Sequence, residues 1–144
     1  MPKIFIQQRF DAPPERVFDA LTDHVAFGRL LGEDIRLEKQ GVPAPNGLGA
    51  VRAIHARGLT IREEVVGWEA SRAMDYRVVG GAPLQNHLGE IRFVPDGSGV
   101  RVDYRIRFDW PWYLGGALVG GVLARSLERQ IGSGIARLAS TLRS

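Results

Sequence analysis

The sequence has 144 residues, of which 44% are hydrophobic and 24% charged, a composition typical of one globular domain over residues 1–144. It contains no cysteine, which excludes disulfides and thiolate metal sites. The net charge of +3 comes from scattered arginines and not from a basic run, so we expect no nucleic-acid partner. No signal peptide and no membrane-spanning run is visible, and the sequence predicts a cytoplasmic protein.

The chain before residue 110 predicts short strands and two short helices. Apolar residues at every second position indicate the strands. Pro14 suits the first helical position and Gly32 ends the second helix, while the Gly- and Pro-rich stretch 41–49 predicts a surface loop at the edge of an opening. The predicted strands are 3–10, 35–40, 50–57, 60–68, 72–79, 86–94 and 100–108, and the predicted helices are 15–22 and 25–31.

The last predicted strand carries the clearest alternation in the chain. Between residues 100 and 109 the even positions are apolar or aromatic, and the odd positions are Arg or Asp. One buried face and one wet face are typical of an antiparallel sheet covered on a single side. With this alternation, the inward residues of the last strand are Val100, Val102, Tyr104, Ile106 and Phe108. The inward residues predicted for the neighbouring strands are Met74, Tyr76, Val78, His87, Gly89, Ile91 and Phe93.

The last third of the chain predicts one long amphipathic helix over 113–142. Its apolar stripe is bulky in the second half, at Leu127, Ile131, Ile135, Leu138 and Leu142. The same stripe carries Gly116 and Gly120 in the first half, and each glycine costs roughly 1 kcal/mol of helix propensity against alanine. Either these small residues leave volume for a ligand, or they allow close backbone packing or a kink. About seven antiparallel strands around one long helix make an α+β fold, with two small helices after the first strand.

Apolar residues at the start of this helix fall outside its buried stripe. Leu118 and Val122, if exposed, form a patch that favours either a partner subunit, such as a homodimer, or a peripheral membrane contact. Three aromatic residues just before them predict a gate at a cavity rim, an interfacial anchor or a hydrophobic plug. They are Trp110, Trp112 and Tyr113.

Four stretches of the chain resemble a known superfamily. They are residues 10–23 (FDAPPERVFDALTD), 49–52 (GAVR), 62–65 (REEV) and 89–91 (GEI). With the order of elements, they resemble the START/Bet v 1-like (SRPBCC) superfamily, and within it the polyketide cyclase/dehydrase-like branch. The resemblance implies a helix-grip fold, a curved antiparallel sheet around a long C-terminal helix, with a cavity between them for apolar or aromatic small molecules. It does not imply catalysis, because the superfamily mixes enzymes, transfer proteins and binders.

The ionisable residues offer a few candidates for chemistry. His87 faces the interior on the assigned phase and is either a general base or a hydrogen-bonded strand histidine. Glu63 and Glu64 are adjacent on one strand, so one of them points inward, where Arg52 is its candidate partner. The remaining histidines stand alone, so we expect no metal site and no cofactor.

Three hypotheses for the function follow. The first is a protein that binds a small hydrophobic ligand, which it could transport or sequester; the second is a cyclase or dehydratase with His87 or Glu64 as the base. The third is an interaction module that uses the apolar flank of the long helix. The predicted ligand contacts are Arg52, Met74, Tyr76, His87, Ile91, Phe93, Tyr104, Ile106, Phe108, Gly116 and Gly120.

Overall fold

Seven strands and three helices form the chain in the computed structural model, which describes residues 1–56 and 58–143. Each predicted element is present, and its ends shift by two residues at most, except at the start of the long helix. The predicted last residue of the third strand, Arg57, lies outside the described residues. The elements are β1 (Lys3–Phe10), α1 (Pro14–Thr22), α2 (His24–Leu31), β2 (Asp34–Lys39), β3 (Val51–Ala56), β4 (Leu59–Glu69), β5 (Ala73–Gly80), β6 (Gln85–Asp96), β7 (Gly99–Asp109), a 3-10 turn (Trp112–Leu114) and α3 (Gly116–Thr141).

All seven strands join one antiparallel sheet in the order β1-β7-β6-β5-β4-β3-β2. The sheet curves around α3, and this confirms the predicted α+β helix-grip fold. The alternation in β7 explains why the concave face is the buried one, because Tyr104 and Phe108 are almost fully buried there. Arg101 and Arg105 point to the other face.

The two short helices fill one end of the concave face. The Asp23 side chain caps α2 by accepting from the Ala26 N–H at 3.2 Å, and Gly32 ends it in the left-handed conformation at φ 74°. From α1, the ring of Phe18 packs edge-on against Phe93, with centroids 5.1 Å apart. The interior beside these helices is therefore solid.

Helix α3 is continuous over 26 residues and has no break at its central glycines. It begins three residues later than predicted, because Gly115 adopts φ 101°, which no helix accommodates, and closes a separate turn by donating to the Trp112 carbonyl. The helix runs along β1, where the Glu128 carboxylate accepts from the Phe5 N–H at 3.4 Å. No helix within the described residues is long and apolar enough to span a bilayer.

Candidate functional site

A cavity of about 290 Å³ lies between the sheet and the middle of α3. The exposed residues on its lining are Leu59, Pro83 and Ser126, so its mouth lies between the start of β4, the β5–β6 loop and α3. Most of the wall is aliphatic or aromatic. The wall residues include Ile35, Ile54, Ile61, Val78, Ile106, Phe108, Leu123, Leu127 and Ile131.

Arg52 of β3 organises the polar end of this cavity. Its Nε and Nη2 atoms donate to Glu63 Oε1 on β4 at 2.9 and 2.8 Å. The guanidinium carbon lies 4.5 Å from the ring centroid of Tyr76 and 5.6 Å from that of Phe27, so aromatic rings cover the cation. Only 3% of the surface of Arg52 is exposed. These partners therefore offset the cost of removing its charge from water.

His24, the first residue of α2, holds Arg52 from the other side. Arg52 Nη1 donates to His24 Nδ1 at 3.1 Å, and His24 Nε2 donates to the Asn46 carbonyl at 3.0 Å. Burial, reinforced by the charge of Arg52, lowers the pKa of His24 to about 4, so the ring is neutral at pH 7. The 41–49 loop therefore supports Arg52 through Asn46, and it does not line the cavity as the sequence led us to expect.

Two tyrosines complete the floor of the polar end. The hydroxyls of Tyr76 on β5 and Tyr104 on β7 are hydrogen-bonded to each other. Burial raises the pKa of both phenols, that of Tyr104 to about 12, so neither ionises at neutral pH. The ring of Tyr76 lies over Gly89, a position where any side chain would collide with it.

His87 and Glu63 face each other at the edge of this polar group. His87 Nδ1 accepts from the Val78 N–H at 3.0 Å, so the neutral ring carries its hydrogen on Nε2. His87 Nε2 stands 4.0 Å from Glu63 Oε2. Burial lowers the pKa of His87 despite the nearby carboxylate. His87 is thus a hydrogen-bonded strand residue, the second of the two alternatives from the sequence, and it presents its Nε2–H to the cavity.

Of the two adjacent glutamates on β4, Glu63, and not Glu64, faces the cavity. Glu63 is buried and paired with Arg52, whereas Glu64 points to the outer face of β4. The sequence contained the signal, because Ile61 and Val65 share their parity with Glu63 and the charged Arg62 shares its parity with Glu64. Gly89 was assigned inward from the sequence, but its role in admitting the Tyr76 ring became visible only in the folded chain.

The predicted ligand contacts divide into two groups in the structure. Six of them line the cavity, and five do not. Met74, Ile91 and Phe93 face inward but lie in the solid end that α1 and α2 fill. The six lining residues are Arg52, Tyr76, His87, Tyr104, Ile106 and Phe108.

The glycines of α3 are the other departure from prediction. A methyl group on Gly120 would stand 2.9 Å from Pro2 Cγ and from Trp110 Cβ, so this glycine serves close packing and makes no free volume. Gly116 lies at the helix start with φ 53°, away from the cavity. The cavity adjoins the bulkier part of α3 because the Trp110 side chain occupies the space under Gly120.

The apolar flank of α3 is open to solvent. Leu118 is 79% exposed and Val122 63%. Of the three aromatic residues before the helix, Trp110 packs inward, while Trp112 and Tyr113 are 85% and 65% exposed. No group of residues suited to hold a metal ion occurs in the described part of the chain.

Comparison with known proteins agrees with this architecture. The profile of the family described as polyketide cyclase / dehydrase and lipid transport matches residues 1–143. No match was found among curated proteins. Solved structures share the fold at low sequence identity. At that level the similarity shows a common fold and nothing about function.

Three of these structures span almost the whole chain. TTHA0849 from Thermus thermophilus has a TM-score of 0.76 at 20% identity and covers 96% of this chain and 95% of its own. The Aha1 dimer from Colwellia psychrerythraea has a TM-score of 0.70 at 13% identity, covering 99% and 97%. Ara h 8.0201 has a TM-score of 0.67 at 13% identity, covering 97% and 98%.

Proposed function

We propose, since this chain belongs to the polyketide cyclase / dehydrase and lipid transport family, that it binds a small hydrophobic or aromatic molecule between the sheet and α3. The observation that carries the proposal is the cavity of about 290 Å³, with an apolar wall and one polar end. Its volume is at the low end for small-molecule sites, which suits two or three fused rings better than a long-chain lipid. Apolar burial at roughly 25 cal/mol per Å² supplies most of the affinity.

Titration with 2-naphthol, followed by its fluorescence, tests this proposal. We expect saturable binding to the wild-type protein. Leu127→Trp fills the cavity from α3 and should weaken binding at least about 10-fold, because the ligand loses its space. Leu118→Trp, the same change on the exposed flank, should leave binding intact. Equal affinity of both variants would contradict the assigned site.

A second candidate, a cyclase- or dehydratase-type enzyme, is supported by the ionisable groups inside the cavity. Glu63 Oε2 is the candidate base, because His87 Nδ1 is engaged by the Val78 N–H. Glu63 would take the proton from a carbon beside a ligand carbonyl. The electron pair of that C–H bond would form the enolate, and the His87 Nε2–H would donate to its oxygen.

Deuterium exchange at the α-carbon of 1-tetralone separates an enzyme from a binder. Catalysis predicts exchange faster than in buffer, slowed at least about 100-fold by Glu63→Gln. Binding of 1-tetralone without faster exchange would leave the protein a binder.

The exposed flank of α3 supports a peripheral contact with an anionic lipid surface. Leu118 and Val122 continue at helical spacing into Arg125 and Arg129, both exposed. Apolar and aromatic residues beside arginines are typical of helices that lie at the surface of a bilayer. Each arginine near an anionic leaflet contributes about 1 kcal/mol of attraction.

A further inference from the structure

The positive charge in the cavity is already compensated inside the protein. Glu63 takes an N–H of Nε and of Nη2 through one oxygen, and His24 takes an N–H of Nη1. The rings of Phe27 and Tyr76 also lie against the guanidinium. A ligand carboxylate needs a free, fork-shaped guanidinium or another cation for compensation. Glu63 already occupies the fork that Nε and Nη2 of Arg52 form.

The carboxylates on the lining make the binding of anionic ligands unfavourable. Glu63 lies at the polar end, and Glu33, which accepts from Gln130 Nε2 at 2.8 Å, lies on the wall near α3. Among the described lining residues these two carboxylates face a single cation, because His87 is neutral. An anionic ligand would lose its hydration and meet like charge.

The same polar end presents one acceptor and one donor to a ligand. Arg52 takes Oε1 of Glu63, which leaves Oε2 facing the Nε2–H of His87 across 4.0 Å. This distance is too long for a direct hydrogen bond. A ligand oxygen to one side of the line that joins the two atoms can lie about 2.8 Å from both. A hydroxyl group can donate to Glu63 and accept from His87 at once.

We infer that the cavity selects neutral, hydroxyl-bearing ring compounds and rejects carboxylates such as fatty acids, an inference that rests on the proposed function. The hydroxyl lies between Glu63 Oε2 and His87 Nε2, and the rings lie against the aliphatic wall toward α3. Discrimination comes from the pairing of Arg52 with Glu63 as much as from the contacts with the hydroxyl.

Three ligands with the same ring system test the inference by calorimetry at pH 7.5, namely 2-naphthol, naphthalene and 2-naphthoate. We expect 2-naphthol to bind about 10-fold or more tightly than naphthalene, because it gains hydrogen bonds to a charged and a neutral group. Binding of 2-naphthoate should be at least about 100-fold weaker than that of 2-naphthol. Tighter binding of 2-naphthoate, or equal binding of 2-naphthol and naphthalene, overturns the inference. If none of the three binds, the proposed function itself fails.

Two variants assign the selectivity to named groups. His87→Leu removes the donor and should reduce 2-naphthol to the affinity of naphthalene, with naphthalene itself unchanged. Glu63→Gln removes the negative charge and frees Arg52, so the preference should reverse in favour of 2-naphthoate. Should Glu63→Gln fail to fold, His87→Leu and the wild-type ligand series still decide. An unchanged preference in a folded Glu63→Gln protein contradicts the role of the Arg52–Glu63 pair.

Discussion

Gly89 on β6 lies directly across from Tyr76 on β5, and a methyl group at Gly89 would stand 2.4 Å from Tyr76 Cζ. The missing side chain lets the tyrosine ring lie flat across β6. From there the ring covers Arg52 and the hydroxyl reaches Tyr104. One glycine thus positions the aromatic cover of the buried cation.

Gly89→Ala should destabilise the protein and weaken 2-naphthol binding together. The new methyl group must displace the Tyr76 ring, and overpacking of this kind costs about 1–3 kcal/mol. Urea denaturation and the 2-naphthol titration provide the measurements. Gly80→Ala is the matched control in a neighbouring strand, because a methyl group there meets nothing within 4 Å. Equal effects of the two changes would contradict the role of Gly89.

Adjacent glycines of α3 should respond to alanine in opposite directions. Gly121→Ala meets no atom within 4 Å and should stabilise the helix by up to about 1 kcal/mol. Gly120→Ala brings a methyl group to 2.9 Å from Trp110 Cβ and should destabilise the protein. The midpoints of thermal unfolding of the two variants are the comparison. Stabilisation by Gly120→Ala would mean that the space under this glycine is free.

His24 should make folding stability sensitive to mildly acidic pH. Its pKa is about 4 in the folded protein against an ordinary value of 6.5, mainly because of burial. The unfolded chain binds the proton first, so the free energy of unfolding should fall as pH drops from about 6.5 to about 4, by on the order of 3 kcal/mol. At neutral pH and above, this contribution is fully present.

The variant His24→Asn isolates that contribution. Its unfolding free energy should change less between pH 7 and pH 4 than that of the wild type, because the titrating ring is gone. His55 is exposed, so His55→Asn should keep the wild-type slope. A His24→Asn protein with an unchanged slope would rule out His24 as the titrating group.

The flank of α3 should bind vesicles that contain phosphatidylserine better than vesicles of phosphatidylcholine alone. Added salt should weaken binding, because Arg125 and Arg129 provide the attraction. Leu118→Asp should abolish cosedimentation with the vesicles by placing a carboxylate on the patch. Ser98→Asp adds the same charge at the turn before β7, the far end of that strand from Trp112, and should bind as the wild type does. A stable dimer that Leu118→Asp dissolves would assign the patch to a second copy instead.

Much of the fold could be predicted because its strands and helices have local signals in the sequence. The alternation in β7 fixes which face is buried, and Pro14 and Gly32 mark the ends of the short helices. Strand parity also predicted that one of Glu63 and Glu64 points inward, with Arg52 as its candidate partner. These features depend on residues near each other along the chain.

The location of the cavity could not be predicted, because it depends on tertiary packing between distant segments. Nothing in the sequence shows that Trp110 folds under Gly120, or that Phe18 reaches Phe93 and fills the other end. The tautomer of His87 likewise depends on the Val78 N–H, which donates to Nδ1 beyond the last paired residues of β5 and β6, Tyr76 and Gly89. The glycine-rich face was therefore a misleading guide to empty volume.

The pairing of β1 with β7 has a consequence for synthesis. Lys3 pairs with Arg107 and Phe10 with Val100, and α3 then covers the outer edge of β1. A chain leaving the ribosome N-terminus first carries a strand whose hydrogen-bonding neighbour in the sheet has not yet been translated. β1 is made before the other six strands, yet it cannot be fixed in the sheet until β7 follows.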